Sequence, residues 1–323
     1  MSSGTVRQDS NCTQQGGCRW VISRRVFLKS VVGALAGQAV LQLSCTPKPK
    51  LRTVRFGIVT DCHYADTDTA GTRFYRESLS KLSECVALMN AEKVEFLIEL
   101  GDFKDQDKKP VEDRTLLHLQ NIEAVFQQFN GPTYHVLGNH DMDSISKQQF
   151  LTRVENTGVA AGRSYYAFDV NGLHCIVLDA NYNPDSTDYD RGSFDWTNAN
   201  IPAHELDWLK RDLAATRGPT VVFIHQQLDG EKWQFVVKNA SDVRRILEES
   251  GKVLAVFQGH YHQGGYNLTN GIHYYTLQAM VDGSGQDNNS YAVVEVRPDL
   301  NIIITGYHKA TSRELGRSSA ART

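Results

Sequence analysis

From residue 53 onward, short apolar runs alternate with segments of helical periodicity, and this alternation limits the fold more than any other feature of the chain. Runs rich in Val, Ile, Leu and Phe that are bounded by polar residues or glycine are typical of buried β-strands. We predict such strands at residues 54–60, 96–100, 133–137, 165–170, 173–179, 220–225 and 253–258, with Asn171-Gly172 as a hairpin turn. Three further strands are predicted at residues 272–277, 291–296 and 302–307.

Helical patterns lie between these runs, at residues 72–90, 115–129, 202–216 and 241–250. In the third pattern Leu206, Leu209 and Leu213 recur at helical spacing, which predicts that they pack in the core. Parallel β-α units followed by hairpins favour an α/β sandwich with mixed sheets. The sequence has no internal repeat, so we predict one catalytic domain at residues 53–310 and a polar C-terminal tail at residues 311–323.

The first 45 residues are typical of an export signal. Residues 23–29 contain the pair Arg24 and Arg25, and the apolar stretch 31–43 that follows is too short to cross a membrane as a helix. The paired arginines are similar to the bacterial twin-arginine signal, which the export machinery reads as an address. We therefore expect a signal peptide at residues 1–45, a proline-stiffened linker at residues 46–52, and export to the periplasm or cell envelope.

Two processing sites compete within this segment. Residues 41–45 resemble a lipoprotein acylation site that ends at Cys45, except that Gln42 stands where an aliphatic residue is usual. Residues 34–36 form an ordinary small-x-small cleavage site. Both alternatives stay open, so the exported protein is either a lipoprotein anchored through Cys45 or a protein without a lipid anchor.

The charge distribution restricts the partners of the folded part. The chain has a formal net charge of −3, but residues 1–44 contain five basic residues and one acid, which leaves 29 basic and 36 acidic residues in residues 45–323. Such an acidic body argues against nucleic-acid binding, which needs a basic surface. An anionic substrate must then be attracted by something local, such as a bound cation. The spacing of the six cysteines matches neither a zinc site nor a disulfide framework.

Side chains that can bind metal ions follow five of the predicted strands, at the point where each strand ends. They are Asp61, His63, Asp102, Asn139, His140, His225, His260 and His262. Because ligands bind in α/β proteins where the carboxyl ends of strands meet, we expect these side chains to converge. Carboxylate, amide and imidazole groups suit Mn, Fe, Zn or Mg. Two such ions can bind both the attacking and the leaving oxygen in a phosphoryl transfer.

Two local features are expected to aim these side chains into one site. The alternation of side chains along a strand would place Asp61 and His63 on the same face. Glycines precede three of the motifs, and they would allow tight turns beside a bound ion. These glycines are Gly101, Gly138 and Gly259.

The ordered set of motifs resembles the calcineurin-like metallophosphoesterase superfamily. The motifs, within residues 53–310, are Asp61-x-His63, Gly101-Asp102-x-x-Asp105, Gly138-Asn139-His140-Asp141, His225 and Gly259-His260-x-His262. The resemblance implies a hydrolase with a four-layer α/β/β/α sandwich of two mixed sheets and two divalent metal ions. The ligands implied for one ion are Asp61, His63 and His262, and those for the other are Asn139, His225 and His260, with Asp102 shared.

The same resemblance implies the catalytic residues. His140 would lie beside the leaving-group oxygen as general acid, or would stabilise charge there, and Asp105 would orient its imidazole. One departure from the pattern is Gln227, where many relatives have proline two residues after the metal-binding histidine. This departure is expected to affect the rigidity of the loop and not metal binding.

A narrower resemblance concerns the substrate. Residues 61–66, 71–79 and 259–266 are similar to the manganese-dependent ADP-ribose/CDP-alcohol diphosphatase branch, although the animal members usually have glutamine in place of His63. This similarity implies a small nucleotide substrate with a phosphoanhydride bond. The alternative is a phosphomonoesterase or a cyclic-nucleotide phosphodiesterase with the same metal centre, because spacing does not separate these activities. A metal-binding module without catalysis is a third reading, against which His140 and Asp105 argue.

Candidate substrate contacts come from loops and helix starts. Tyr64, Arg73 and Arg76 are the residues that we expect to reach a phosphorylated substrate, although surface or packing roles are equally compatible with their positions. Trp196 and Trp233 are expected in the core or at the rim, and not as platforms on which a base stacks.

Overall fold

The computed structural model describes residues 50–316, and within them the chain forms twelve β-strands and five α-helices. In chain order these are β1 (Val54–Val59), α1 (Ser78–Glu92), β2 (Phe96–Glu99), α2 (Glu112–Phe126), β3 (Thr133–His135), α3 (Lys147–Leu151), β4 (Tyr166–Val170), β5 (Leu173–Val177), α4 (Ala203–Ala215), β6 (Thr220–Phe223), α5 (Ala240–Ser250), β7 (Val253–Gln258), β8 (Gly265–Thr269), β9 (Ile272–Thr276), β10 (Ser290–Val296), β11 (Ile302–His308) and β12 (Arg313–Leu315).

The strands form two six-stranded sheets. The first has the order β12-β11-β10-β1-β2-β3, and the second has the order β4-β5-β6-β7-β9-β8. Each sheet is mixed: β1, β2 and β3 are parallel while β10 to β12 pair antiparallel, and β5, β6, β7 and β9 are parallel between the antiparallel edges β4 and β8. Parallel strands joined through helices leave their carboxyl ends at one edge, where loops can form a site.

Three buried apolar clusters define four layers. The first lies between the sheets, where Phe56 and Phe96 of one sheet stack at 4.7 Å and Phe223 of the other sheet meets Phe56 edge-on at 5.6 Å. The second joins the outer face of the first sheet to α1 and α2. The third joins the outer face of the second sheet to α4 and α5, and includes Leu209 and Leu213. The predicted α/β/β/α sandwich is therefore confirmed, since burial of both faces of each sheet needs helices outside.

Each strand and helix predicted from the sequence is present within a few residues. The hairpin at Asn171-Gly172 is confirmed, with positive φ at both residues and Val170 paired with Leu173 across it. The predicted start of α1 is wrong by several residues, because residues 70–77 form a tight turn and a 3-10 helix before α1 begins at Ser78.

Three elements escaped prediction. Strand β8 is largely exposed and polar, and β12 is a short charged edge strand, so neither has an apolar run. Helix α3 has only five residues, although Ser146 and Gln149 form a capping box at its start that the spacing alone could have indicated.

The fold extends past both predicted boundaries. Leu51 is buried in the core between the sheets, and the backbone N–H of Arg52 donates to Asn171 O at 3.0 Å, so the end of the predicted linker is part of the fold. Strand β12 pairs with β11 beyond residue 310, and Leu315 is buried.

No helix within residues 50–316 is long and apolar enough for a membrane span. The predicted signal peptide and Cys45 lie outside the described residues.

Candidate metal centre

The loops that follow β1, β2, β3, β6 and β7 meet at the carboxyl ends of these strands. Among residues 50–316, four groups of three side chains there lie close enough to hold a metal ion, and two of them consist only of predicted ligands, the first of Asp61, His63 and His262 and the second of Asp102, His225 and His260. Asn139 lines the same cleft as Asp102 and His260. The structure thus brings together the seven side chains that the sequence predicts as ligands.

Asp102 lies between the two groups. Its Oδ2 is 3.1 Å from His225 Nε2 in the second group and 3.5 Å from His63 Nε2 in the first. Its Oδ1 accepts a hydrogen bond from the backbone N–H of His140 at 2.7 Å, which fixes the orientation of the carboxylate. This is the position that a ligand shared by two ions must occupy.

Hydrogen bonds at Nδ1 set the tautomers of three of the histidines. His225 Nδ1 donates to Leu100 O at 2.8 Å, His63 Nδ1 lies 3.1 Å from Asp105 Oδ2, and His262 Nδ1 lies 2.8 Å from Asp282 Oδ2. Each Nδ1 therefore carries the proton, because its partner accepts. Once neutral, as metal ligands must be, these rings would direct their Nε2 lone pairs inward, where Nε2 of His63 and Nε2 of His262 lie 3.2 Å apart. Facing lone pairs call for a cation between them.

The buried polar atoms at the centre fit that requirement. Within residues 50–316, Asp61 Oδ1, Asn139 Oδ1 and His260 Nε2 are buried without a hydrogen bond, and the buried His225 Nε2 has only the Asp102 carboxylate beside it, at 3.1 Å. Buried polar atoms without partners are costly and rare. All four belong to predicted ligands, and oxygen and imidazole nitrogen are suitable donors for Mn, Fe or Zn. The residues present therefore fit a pair of divalent metal ions.

The charged and polar side chains of the site strongly shift one another's pKa values. Burial opposes ionisation of Asp61 and Asp102, but the neighbouring histidines hold the pKa of both carboxyls well below the usual range. Burial lowers the pKa of His260 to about 3, and the charge of His225 acts in the same direction. Burial would also lower the pKa of His225, but Asp102 raises it to about 9. A divalent cation would replace such protons, since metal ligands must be deprotonated.

The backbone turns sharply where the ligands leave the strands. Asp61, His63, Asp102 and His260 have φ between 47° and 67°, in the left-handed region that residues other than glycine seldom adopt. The prediction that strand alternation aims Asp61 and His63 was therefore wrong, because β1 ends at Val59 and two left-handed residues direct these side chains. Strained backbone of this kind clusters at functional sites.

Two glycines and one carboxylate hold the loops together. Gly101 has φ of +101°, and a side chain at Gly138 would collide with the backbone of Asp102. The buried Asp141 accepts hydrogen bonds from the backbone N–H groups of Gly138 at 2.8 Å, Phe103 at 3.0 Å and Asp102 at 3.1 Å. Asp141 thus ties the loop after β3 to the loop after β2, a structural role that the motif alone did not reveal.

His140 is oriented by a different residue from the one predicted. Its Nδ1 lies 2.6 Å from Asp143 Oδ2 but 3.8 Å from Asp105 Oδ2. Asp105 instead holds the metal-site residue His63. The assignment of Asp105 to His140 is therefore corrected to Asp143. Burial would lower the pKa of His140, but the carboxylates of Asp143 and Asp102 raise it to about 10, which favours the protonated imidazole.

Comparison with known proteins agrees with this geometry. The family profile of the calcineurin-like phosphoesterases matches residues 54–264. The chain belongs to the calcineurin-like phosphoesterase family. This phosphoesterase is 26% identical over 306 residues to the manganese-dependent ADP-ribose/CDP-alcohol diphosphatase of Oryza sativa subsp. japonica, an alignment that covers 80% of this chain and 93% of the relative. It is 23% identical over 270 residues to the protein of the same name in Arabidopsis thaliana, covering 70% of this chain and 86% of the relative.

Solved structures share the fold. A dimetal phosphatase from Danio rerio superposes with a TM-score of 0.71 at 19% identity, covering 82% of this phosphoesterase and 99% of that chain. A purple acid phosphatase from yellow lupin superposes with a TM-score of 0.58 at 11% identity, covering 86% and 56%. The predictions of the family, of the fold and of a metal-dependent hydrolase are confirmed, and the His and Asp clusters provide places for the metal ions.

Beside the metal centre, the phosphoesterase has a cleft of about 350 Å³. Arg73 lines it, and its Nη1 lies 3.4 Å from Asp105 Oδ2 and 3.5 Å from His140 Nε2. Two of the predicted substrate contacts are absent from the cleft. Tyr64 is buried in the core and packs edge-on against His118, while the exposed Arg76 pairs with Asp66 and Asp68. Arg73 alone of the three faces the site.

An aromatic wall forms the other side of the cleft and was missed in the sequence. Trp196, Phe235 and Tyr261 line it, with Trp196 39% exposed and Phe235 lying 5.7 Å from Trp196 and 5.3 Å from His260 between ring centroids. These residues come from separate loops, so their spacing carries no signal. Trp196 thus lies at the rim of the cleft, with its exposed ring facing into it.

Gln227 helps to position this wall. Its backbone N–H donates to Phe235 O at 3.0 Å, and its carbonyl accepts from the N–H of Val237 at 3.0 Å. Proline at this position would lack the first of these donors. The departure from the family pattern therefore coincides with a hydrogen bond that fixes an aromatic residue of the cleft.

Proposed function

We propose that this phosphoesterase hydrolyses the phosphoanhydride bond of small nucleotide diphosphates, of which ADP-ribose and CDP-alcohols are the types suggested by its relatives. The observation that carries the proposal is the aromatic wall of Trp196 and Phe235 directly beside the metal-site residue His260. A nucleobase stacks on such rings, and one stacked base contributes about 1–3 kcal/mol. A simple phosphate ester would gain nothing from this wall.

The side chains around the metal centre support hydrolysis at phosphorus. Bound divalent ions supply charge stabilisation on the phosphoryl oxygens and an activated water. The ligands proposed for one ion are Asp61, His63 and His262, those for the other are Asn139, His225 and His260, and Asp102 serves both. Arg73 provides a fixed positive charge on the wall of the cleft, where it can bind a phosphate oxygen.

His140 is proposed as the residue that acts on the leaving group. Its imidazole lines the cleft next to Arg73, and Asp143 holds the ring by its other nitrogen. A proton held in this way can be donated to the departing oxygen, or its charge can stabilise that oxygen.

A substrate panel tests the proposal. The purified protein is assayed with Mn²⁺ on ADP-ribose, CDP-choline, cyclic AMP and p-nitrophenyl phosphate. We expect kcat/KM for ADP-ribose or CDP-choline to exceed that for p-nitrophenyl phosphate by about 10-fold or more, because these substrates combine a base that can stack with a diphosphate that Arg73 can bind. Preference for p-nitrophenyl phosphate or cyclic AMP would support the phosphomonoesterase or cyclic-nucleotide phosphodiesterase alternative instead.

We further propose that the enzyme acts outside the cytoplasm. The support is the twin-arginine pair Arg24 and Arg25 before an apolar stretch, with Cys45 as an optional site of lipid attachment. The partner in this step would be the twin-arginine export machinery. This route carries folded proteins, so the metal ions could be acquired before export.

A further inference from the structure

We propose that Asp282 is a positioning residue that holds His262 in its ligating orientation and ties the metal centre to the segment that carries Arg73. The inference rests on the proposed role of His262 as a ligand. Asp282 lies 20 residues after His262 and outside every motif of the sequence, so its role follows only from the geometry.

The carboxylate of Asp282 uses both oxygens. Oδ2 lies 2.8 Å from His262 Nδ1, and Oδ1 accepts a hydrogen bond from Thr72 Oγ1 at 2.8 Å. The first contact favours the proton on Nδ1 and directs His262 Nε2 into the metal centre, 3.2 Å from His63 Nε2 and 3.4 Å from Asp61 Oδ1. The second contact reaches the residue next to Arg73. One side chain therefore contacts both a proposed metal ligand and the segment of a proposed substrate contact.

The backbone of the loop around Asp282 makes the same connections. The N–H groups of Met280 and Val281 donate to the carbonyls of Thr60 and Asp61, both at 3.1 Å. The N–H of Phe74, the residue that follows Arg73, donates to Val281 O at 3.0 Å. Residues 279–283 thus join the loop after β1 to the turn that precedes α1.

Two lysine side chains bind backbone carbonyl groups of this loop. Lys81 Nζ donates to the carbonyls of Met280 at 3.0 Å and Gly283 at 2.6 Å, and Lys309 Nζ donates to the carbonyl of Asp282. Lys81 is fully buried, so these contacts are shielded from water. A loop held at its carbonyls and at its N–H groups presents the Asp282 carboxylate in one orientation, which is what a second partner of a metal-binding histidine requires.

Asp282→Asn tests the inference. The amide cannot accept from both His262 and Thr72, so we expect Mn²⁺ affinity, measured by isothermal titration of the metal-free protein, to fall by about 10- to 100-fold. At saturating Mn²⁺ kcat should recover, and the metal-free variant should still unfold in urea in a single cooperative transition, as a folded protein does. Asp282→Ser has the same expected result and serves if the amide variant is unstable.

Two further variants separate the two contacts. Thr72→Val removes only the contact to the Arg73 segment, so we expect unchanged Mn²⁺ affinity with KM for ADP-ribose raised by about 2- to 10-fold, as loss of one hydrogen bond predicts. Asp287→Asn changes an exposed acid in the same region and should alter neither quantity.

Wild-type Mn²⁺ affinity in both Asp282 variants would overturn the inference and leave the proposed function intact if the wild-type enzyme still hydrolyses nucleotide diphosphates. If the Asp282 variants lose Mn²⁺ affinity but the wild-type enzyme cleaves no nucleotide diphosphate, the role of Asp282 is upheld and the proposed function is overturned.

Discussion

Asp143 Oδ2 lies 2.6 Å from His140 Nδ1. The imidazole that lines the cleft is therefore held at Nδ1 by a carboxylate three residues further along the chain. The pair comes from the loop after β3 and stands next to Asp102, whose Oδ1 accepts the backbone N–H of His140. The orientation of His140 therefore depends on Asp143 and Asp102 together, while Asp105 contacts His63 Nδ1.

Asp143→Asn is predicted to lower kcat by about 10- to 100-fold, less than the roughly 10²–10⁴-fold that a complete general acid contributes, because the ring stays in place but loses its ionic partner. Mn²⁺ affinity should change little. Asp105→Asn is the matched comparison and should weaken Mn²⁺ binding, since Asp105 holds His63. Steady-state kinetics and metal titration of both variants check this assignment, and an unchanged kcat in Asp143→Asn would contradict it.

Trp196→Ala is predicted to raise KM for ADP-ribose by about 5- to 100-fold, the range that corresponds to loss of one stacking contact of about 1–3 kcal/mol. The kinetics with glycerol phosphate should stay the same, because that substrate has no ring to stack on the wall. Trp233→Ala is the control: Trp233 is 66% exposed, packs with Lys238 and does not line the cleft. Equal effects of both tryptophan variants on KM would argue against a base-stacking wall.

His174 gives the fold a pH-dependent contribution far from the metal centre. It bridges Asp169 Oδ1 at 2.8 Å and Asp212 Oδ2 at 2.7 Å, and although burial opposes its charge, these carboxylates raise its pKa. A raised pKa in the folded state stabilises the protein fully below the unfolded value, near 6.5, and this stabilisation is lost as the pH rises through the folded pKa.

His174→Gln is therefore predicted to lower the free energy of unfolding by about 1 kcal/mol at pH 5.5, and by less at pH 9. Urea denaturation in EDTA at both values measures the difference without a contribution from metal binding. Asp212→Asn should show the same trend. A loss of stability that is constant or grows with pH would contradict the charged bridge.

Replacement of Arg24 and Arg25 by lysine is predicted to retain the protein in the cytoplasm, since the export receptor reads the arginine pair. Fractionation of cells that produce each form measures this directly. Cys45→Ser in the same experiment distinguishes a lipid anchor, which would be lost, from cleavage at residues 34–36, which would not change. Export that is unaffected by the lysine pair would contradict the signal.

The sequence predicts the sheets and the convergence of the proposed metal ligands, because both depend on local patterns. Apolar runs mark the strands, and the ends of those strands mark Asp61, Asn139 and the other ligands. It does not predict the residues that act through another side chain. Asp282 reaches His262 only because residues 279–283 follow the loop after β1, a long-range arrangement without local signal.

The assignments to Asp105, Tyr64 and Arg76 failed for a related reason. Tyr64 and Asp105 lie in loops where left-handed residues such as His63 and Asp102 change the direction that strand alternation implies. Arg76 lies in the 3-10 helix before α1, where it pairs with Asp66 and Asp68 instead of entering the cleft. Trp196 lies more than 30 residues from Phe235, so only the folded chain brings them together in one wall. The spacing that predicts the proposed ligands therefore carries no information about the aromatic residues of the cleft.

The most direct test of the account is an anomalous difference map from crystals of the enzyme grown with Mn²⁺. The account predicts two peaks about 3.5–4 Å apart on either side of Asp102, one in contact with Asp61, His63 and His262 and the other with Asn139, His225 and His260. Absence of both peaks, or manganese bound only away from Asp102, would contradict it.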